Sequence, residues 1–319
     1  MFVMSKHALN HETRLWRVTL DVLADGRWHA LSALATAAGV APLPMRRFLR
    51  HARHLGAPLR FDAARGVRRN HPVSPLLGRR AAPVSAAWHF ALDSTNAALL
   101  RDAGALPECG RVLLAEHQTQ GRGRRGRAWL TPLGGGIALS FAMPRHRLEG
   151  APALPLQVGV AMLRALRRAG LRGAGLKWPN DLMVHGHKLG GILVEGRSRT
   201  LVIGVGINHR LVRGWRPALG QAVTCLADEM GARLPKRERV VACILDELAA
   251  LVRGANPDWA AEFARHDLLA GRVIQVHEAS GMPWEGIADG VDAQGALRVR
   301  TSRGTRLCHA GEVSVRLGA

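Results

Sequence analysis

Apolar residues recur at helical spacing near the start of the chain and in short alternating runs near its end, and this change of period divides the sequence. Leu15, Val18, Leu20, Val22 and Leu23 give the apolar face of a helix that ends at Asp25-Gly26. Leu31 to Ala38 is a short Ala-rich helix broken by Gly39. The next helix runs from Leu43 to Leu55, with Met45, Phe48, Leu49, Ala52 and Leu55 on one face and Arg46, Arg47, Arg50 and Arg53 on the other. Two short helices joined at a glycine, the second carrying a row of arginines, predict a helix-turn-helix that binds DNA. A turn at Ala64-Arg65-Gly66 predicts a β-hairpin, a basic wing whose Arg68 and Arg69 contact phosphate.

Prolines at 72, 75 and 83 mark a linker over 71–84. A strand then leads through Trp88 to Leu92 into Asp93-Ser94-Thr95-Asn96 and a helix over 97–103. Further strands are expected at 111–116, 137–141, 176–184, 188–195 and 201–207, the last ending at Asn208. Helical patterns fill 154–170, 237–254 and 258–269. From 273 onward, short strands between glycine turns predict a small β-barrel. The expected division is 1–70, a linker, a body over 85–269 and a C-terminal unit over 270–319.

Length and composition add bounds. The 319 residues are 47% hydrophobic with mean hydropathy −0.01, and no apolar run approaches the ~18 residues of a membrane span. No signal-peptide core is visible in 1–16. Cys109, Cys225, Cys243 and Cys308 lie far apart without a C-x-x-C pair, which argues for free thiols in a reducing cytoplasm and against a structural zinc site. Residues 1–80 hold fourteen Lys and Arg against four Asp and Glu, a balance of +10 out of a total of +21. Such a concentration at one end is an electrostatic footprint for nucleic acid; the alternative is an arginine-heavy composition throughout.

The candidate chemistry centres on 121–131, where Arg122, Arg124, Arg125 and Arg127 alternate with Gly121, Gly123 and Gly126. Glycines allow close backbone approach and guanidinium forks bind anions, so this is expected to be a loop without a fixed shape when empty, ordering around a phosphorylated ligand. The glycines also satisfy a dinucleotide fingerprint, but Arg127 to Pro132 opens no helix and Glu149 sits among Pro144, Gly150 and Pro152, which argues against that reading. A plain solvated basic loop is the bland alternative. Polar residues at strand ends and tight turns, among them Asn180, Asp181, Lys188 and Asn208, are placed as in a site built on a sheet.

Together, Asp93 to Asn96, Gln118 with 121–127, Lys177 to Leu182, Lys188 to Glu195 and Gly204 to Asn208 resemble biotin protein ligases. The whole chain resembles the family of bifunctional biotin protein ligases and biotin operon repressors. That resemblance implies an α+β protein: an N-terminal winged helix-turn-helix, a central mixed sheet with helices like that of class II synthetases, and an SH3-like C-terminal barrel. It implies that ATP with Mg²⁺ converts biotin to biotinyl-5′-AMP, which a lysine of a biotin carboxyl carrier domain then attacks. It also implies biotin-responsive repression at operator DNA and a ligand-dependent homodimer. By the same match Ser94, Thr95, Asn96, Gln118, Arg122, Gly123, Arg124 and Lys188 surround biotin and the adenylate. Arg124, Trp129, Asn180, Asp181, Asn208 and Arg316 face ATP, with Asp181 at the metal. Attack of a carboxylate on a phosphate brings two anions together, so Arg124 and Lys188 are the expected catalytic cations and Asp181 positions the magnesium. The chain departs from the pattern at Ala41-Pro42-Leu43-Pro44, where the family has a serine cap, and in the wing, which lacks an aromatic. The rival readings are a lipoate or octanoate ligase, a DNA-binding regulator using the ligase domain as a biotin sensor, and a ligase whose basic N-terminal unit binds no DNA.

Overall fold

The computed structural model describes residues 11–71, 73–76, 85–102, 106–148, 153–211, 222–254, 258–278, 282–310 and 313–317. Its first unit comprises α1 (His11–Val22), α2 (Leu31–Ala38), α3 (Pro42–His54) and a hairpin of β1 (Leu59–Asp62) with β2 (Gly66–Arg69). Gly39 ends α2 at φ 63°, a left-handed conformation that lets its N–H return to the carbonyls of Ala35 and Thr36. No side chain caps α3. Pro42 stands at its start, where an N–H would lack an intrahelical partner anyway, and His51, Arg53 and His54 suit the negative end of the helix. Met45, Phe48, Leu49 and Ala52 are buried as their spacing predicts, and Arg46, Arg47, Arg50 and Arg53 are exposed.

The hairpin corrects one expectation. Its register pairs Leu59 with Arg69, which places Arg69 on the inward face two residues from buried Val67. Arg69 is 7% exposed, and its guanidinium donates to the carbonyls of Leu23 (2.7 Å) and Val73. It is a structural residue and not a phosphate contact. Arg68, on the other face, stacks 4.8 Å over the Trp28 ring.

The central sheet contains β3 (Ser85–Leu92), β4 (Arg111–Gln118), β5 (Gly136–Pro144), β6 (Ala174–Lys177), β7 (Asp181–Val184), β8 (His187–Arg197) and β9 (Thr200–Asn208). The strand order is β3-β4-β5-β9-β8-β7-β6; β3 and β4 are parallel and every other pair is antiparallel. Alternation along the strands gives the sheet two apolar faces. Leu113, Ala142 and Val202 meet Leu99 of α4 (Thr95–Arg101) on one. On the other, α5 (Leu154–Arg168) approaches closely at Gly159, where a Cβ would lie 3.0 Å from Leu176. The helices α6 (Leu226–Met230), α7 (Arg237–Val252) and α8 (Trp259–His266) follow. Because Asp267 is extended and the Leu268 N–H bonds the carbonyl of Leu176, α8 stops short of the expected 269.

The first unit docks on the outer strand of this sheet. The Phe90 N–H donates to Thr13 Oγ1 at 2.8 Å, and the Phe90 ring meets Phe48 (5.1 Å) and Trp16 (6.0 Å). The expected linker is in part packed as well: Val73 and Leu76 are buried, and beyond residues 71 and 73–76 that stretch lies outside the described residues.

Among the described residues the C-terminal unit is a five-stranded antiparallel sheet. Its strands are β10 (Val273–Glu278), β11 (Trp284–Val291), β12 (Leu297–Thr301), β13 (Gly304–Cys308) and β14 (Val313–Leu317), in the order β13-β12-β11-β10-β14. Among the described residues β13 pairs with β12 alone and β14 with β10 alone, so no ladder joins the two edges. The unit meets the central body where Trp178 Nε1 donates to the Gly295 carbonyl at 3.0 Å.

One ion pair lies wholly inside the body. Arg237 and Glu116 are both inaccessible, and the guanidinium engages the carboxylate at 2.6 and 3.0 Å in a two-pronged geometry. Its Nε donates to the Ser74 carbonyl at 2.8 Å and its Nη1 to that of Gly136 at 3.3 Å. Removing one partner leaves a buried charge without compensation. Arg237→Ala is therefore expected to lower the unfolding free energy by about 3–5 kcal/mol in urea denaturation. The double change Glu116→Leu with Arg237→Met is expected to cost less than either single replacement by alanine.

Candidate active site

Parallel pairing of β3 and β4 sets Leu92 opposite Gln118, so the turn after β3 lies beside the end of β4. Ser94 caps α4 by accepting from the Ala97 N–H at 3.4 Å. Thr95 donates to Gln118 Oε1 from its N–H (2.9 Å) and its hydroxyl (3.1 Å). Beneath them, Ser140 of β5 lies 2.7 Å from Thr95 Oγ1 and donates to Asn96 Oδ1 at 2.5 Å. The Asn96 amide in turn donates to Glu195 Oε2 at 2.8 Å and to the Leu193 carbonyl at 3.3 Å. Gly204 makes room for it, since a Cβ there would stand 2.4 Å from Asn96 Oδ1. Asn96 thus has both ends of its amide engaged by protein and acts as a brace for the Ser94–Thr95 turn.

The arginine loop is closed by its own backbone hydrogen bonds. The Gly123 N–H bonds the Arg127 carbonyl at 2.7 Å and the Trp129 N–H that of Gly121 at 2.8 Å, with Arg122 bridged to Ala128. These bonds close a small hairpin that compensates the repulsion among its cations. Its tip turns at Arg125, φ 58°. Arg124 folds inward: Nη1 donates to Asn180 Oδ1 at 3.3 Å, while Nη2 is buried without a partner. Burial pulls its pKa down and the Asp181 charge opposes that shift. The Trp129 ring lies against β9, where a Cβ on Gly206 would stand 2.5 Å from it. Its indole N–H is likewise buried and unpartnered. Two buried donors without acceptors in one hollow are what a ligand rich in acceptors would satisfy.

Opposite the loop, Lys188 and Asp181 form an ion pair at 2.6 Å, and Lys188 Nζ lies 5.9 Å from the Trp129 ring centre. Asn180 is fixed by donating to the Ile192 carbonyl at 2.7 Å, after a cis peptide between Trp178 and Pro179. Asn208 donates to the carbonyls of Thr224 (3.1 Å) and Lys188 (3.5 Å), which holds the start of β8. These groups enclose a cavity of about 750 Å³. Ser94, Thr95, Asn96, Gln118, Arg122, Gly123, Arg124, Trp129, Asn180, Asp181, Lys188 and Asn208, all singled out in the sequence, line it. Val315 of β14 lines it too, whereas the side chain of Arg316 lies outside the described residues. Among the described residues no group of three or more His, Cys, Asp or Glu could hold a metal. The single carboxylate of Asp181 nevertheless fits magnesium, which is held by one or two carboxylates together with substrate phosphates.

Ser140, Glu116 and His209 were not found from the sequence. Ser140 left a signal, being the one polar residue in the apolar run of β5, whereas Glu116 is followed by His117 and Gln118 and does not stand out. His209 is buried beside Asn208, with Nε2 at 2.8 Å from the Pro235 carbonyl. Burial above all, then the charges of Arg237 and Arg210, lowers its pKa to about 4. The unfolded chain takes up this proton near 6.5, before the folded one does, so stability rises with pH between about 4 and 6.5 and is complete above that range. The melting temperature is expected to fall as pH drops from 7 to 5, by a free energy on the order of 2 kcal/mol. His209→Gln should flatten that dependence in thermal melts run across the same range.

Comparison with known proteins gives the following. Residues 90–208 match the model of the biotin/lipoate A/B protein ligase family, and residues 273–316 that of the biotin protein ligase C-terminal domain. The chain is 37% identical over 232 residues to a biotin–[acetyl-CoA-carboxylase] ligase of Mycobacterium tuberculosis, covering 69% of this chain and 85% of that protein. It is 31% identical over 315 residues to the bifunctional ligase/repressor BirA of Escherichia coli, covering 93% and 96%. Among solved structures, the biotin protein ligase of Aquifex aeolicus in complex with biotin and ATP superimposes with a TM-score of 0.64 at 26% identity, over 73% of this chain and 99% of that one.

Proposed function

The chain belongs to the biotin/lipoate A/B protein ligase family, and from that premise we propose that it is an ATP-dependent biotin–[acetyl-CoA-carboxylase] ligase. Biotin and ATP give biotinyl-5′-AMP and pyrophosphate, and a carrier-domain lysine then attacks the mixed anhydride, releasing AMP. The observation that carries this reading is the pair of buried, unpartnered donors, Arg124 Nη2 and Trp129 Nε1, in the cavity that also holds Lys188.

The residues divide the work by charge. The carboxylate of biotin and the α-phosphate repel each other, and Arg124 and Lys188 supply fixed positive charge where the two anions meet. Lys188 reaches that point by exchanging Asp181 for the incoming anions, a swap that frees the Asp181 carboxylate. Magnesium, held by Asp181 and the phosphates, would supply charge neutralisation on the nucleotide. Ser94, Thr95 and Gln118, fixed by the hydrogen bonds beneath them, receive the neutral end of the acid. Arg122 and Gly123 close over it, and Trp129 and Asn208 border the nucleotide. Arg316 completes the ATP side from the C-terminal unit. The division proposed with this reading is 1–70 for the N-terminal unit, 71–84 for a linker, 85–269 for the catalytic body and 270–319 for an SH3-like unit.

A second activity is favoured by the exposed row Arg46, Arg47, Arg50 and Arg53 on α3. We take residues 1–70 as a winged helix-turn-helix and the protein as a biotin-responsive repressor of the cytoplasm, dimerising with ligand. No helix among the described residues is long and apolar enough to cross a membrane.

Exchange of label between pyrophosphate and ATP tests the ligase reading. Dependence on biotin alone is expected; dependence on lipoate alone would move the protein to the sister branch. Binding of biotin with no exchange would leave a sensor. For DNA, gel shifts at several salt concentrations should show log affinity falling by about 0.9 per decade of salt for each phosphate neutralised. Arg50→Gln is expected to reduce that slope by about one contact. Arg69→Gln should leave the slope unchanged, because its guanidinium faces inward.

A further inference from the structure

Glu195 of β8 stands at the rim of the site with its two oxygens turned to different partners. Oε2 accepts from the Asn96 amide at 2.8 Å, and Oε1 lies 3.4 Å from a guanidinium nitrogen of Arg122. Asn96 is 4% exposed and braced by Ser140 and by the close approach of Gly204, so one oxygen is held by a rigid part of the scaffold. The other meets the residue with which the arginine loop begins. Arg122 is bridged to Ala128 across the loop, so whatever holds Arg122 holds both strands of that small hairpin. The Arg122 side chain is 44% exposed and that of Glu195 28%, an accessible pair that salt and substitution can reach.

We propose that Glu195 is a positioning residue for the adenylation reaction: it fastens the arginine loop over the site through Arg122 and so restrains loss of the activated acid. This rests on the ligase reading above. The loss in question is hydrolysis or escape of the acyl-adenylate. In hydrolysis, water adds to the acyl carbon, the bond from that carbon to the phosphate oxygen breaks, and biotin and AMP leave. Arg122 accordingly serves as the loop's tether through its side chain. An ion pair this exposed is worth at most about 1 kcal/mol, which is roughly fivefold in the leak.

The test uses the full chain with biotin and ATP and no acceptor, following pyrophosphate. A first burst reports adenylate formation, and the steady rate after it reports the leak. Glu195→Gln keeps an acceptor for the Asn96 amide and removes only the charge facing Arg122. It is expected to retain the burst, to keep the biotin KM within about twofold, and to raise the leak three- to fivefold. Added salt should raise the leak of the wild type and leave that of the variant unchanged. Arg122→Gln, read relative to its own burst because Arg122 also closes over biotin, should raise the leak as well, and the double variant should leak no more than the larger of the two singles. A leak unchanged in both variants, or additive in the double, overturns the proposal. So does a variant whose only defects are a lower melting temperature and a raised KM, since Glu195 would then act through Asn96 alone. Absence of any burst in the wild type would instead sink the ligase reading beneath it.

Discussion

The pairing of Arg237 with Glu116 inside the body is the constraint on which the rest of the structure hangs. A guanidinium and a carboxylate removed from water are tolerated only where every remaining donor finds an acceptor. Here the surplus donors go to the carbonyls of Ser74 and Gly136. Four stretches distant in sequence are thereby brought to one point: the segment before β3, β4, the start of β5 and the start of α7. Glu116 lies two residues before Gln118, and Gly136 four residues before Ser140. The ligand-facing turn at Ser94–Thr95 is therefore braced from below by strands whose relative position the buried pair fixes.

Above that base the site is shaped as much by missing side chains as by present ones. Gly204 and Gly206 lie on β9 two residues apart, on one face of the sheet. The first admits Asn96 and the second the Trp129 ring, at distances no Cβ would permit. Sheet glycines usually weaken a strand; these two convert the middle of β9 into a shallow trough between flanking strands. The polar groups then need no long reach to converge, and their hydrogen bonds can be short and fixed.

Much of this was legible from the sequence because it depends on local period and on identity at strand ends. The helical faces of α1 and α3, the hairpin and the strands emerge from spacing, and the residues that line the cavity from the family resemblance that their motifs carry. What escaped was decided by register or by distant partners. Arg68 and Arg69 are the same residue type side by side, and only pairing with β1 determines that one faces the Trp28 ring and the other the interior. The run over 258–269 has helical spacing to its end, yet Asp267 and Leu268 leave the helix to bond beside Leu176. Ser140 and Glu195 matter for the partner that folding gives them, Asn96, which lies 44 and 99 residues away along the chain.

The sheet's two outer strands share one further property. At one side the Phe90 N–H is taken by Thr13; at the other the Leu176 carbonyl is taken by Leu268. A strand with free amide and carbonyl groups along its edge is a template on which another chain can lengthen the sheet. In this protein the α1 helix takes one such amide of β3, so the unit that bears the basic row of α3 also covers part of that edge. Any movement that lifted this unit from β3 would return those backbone groups to water.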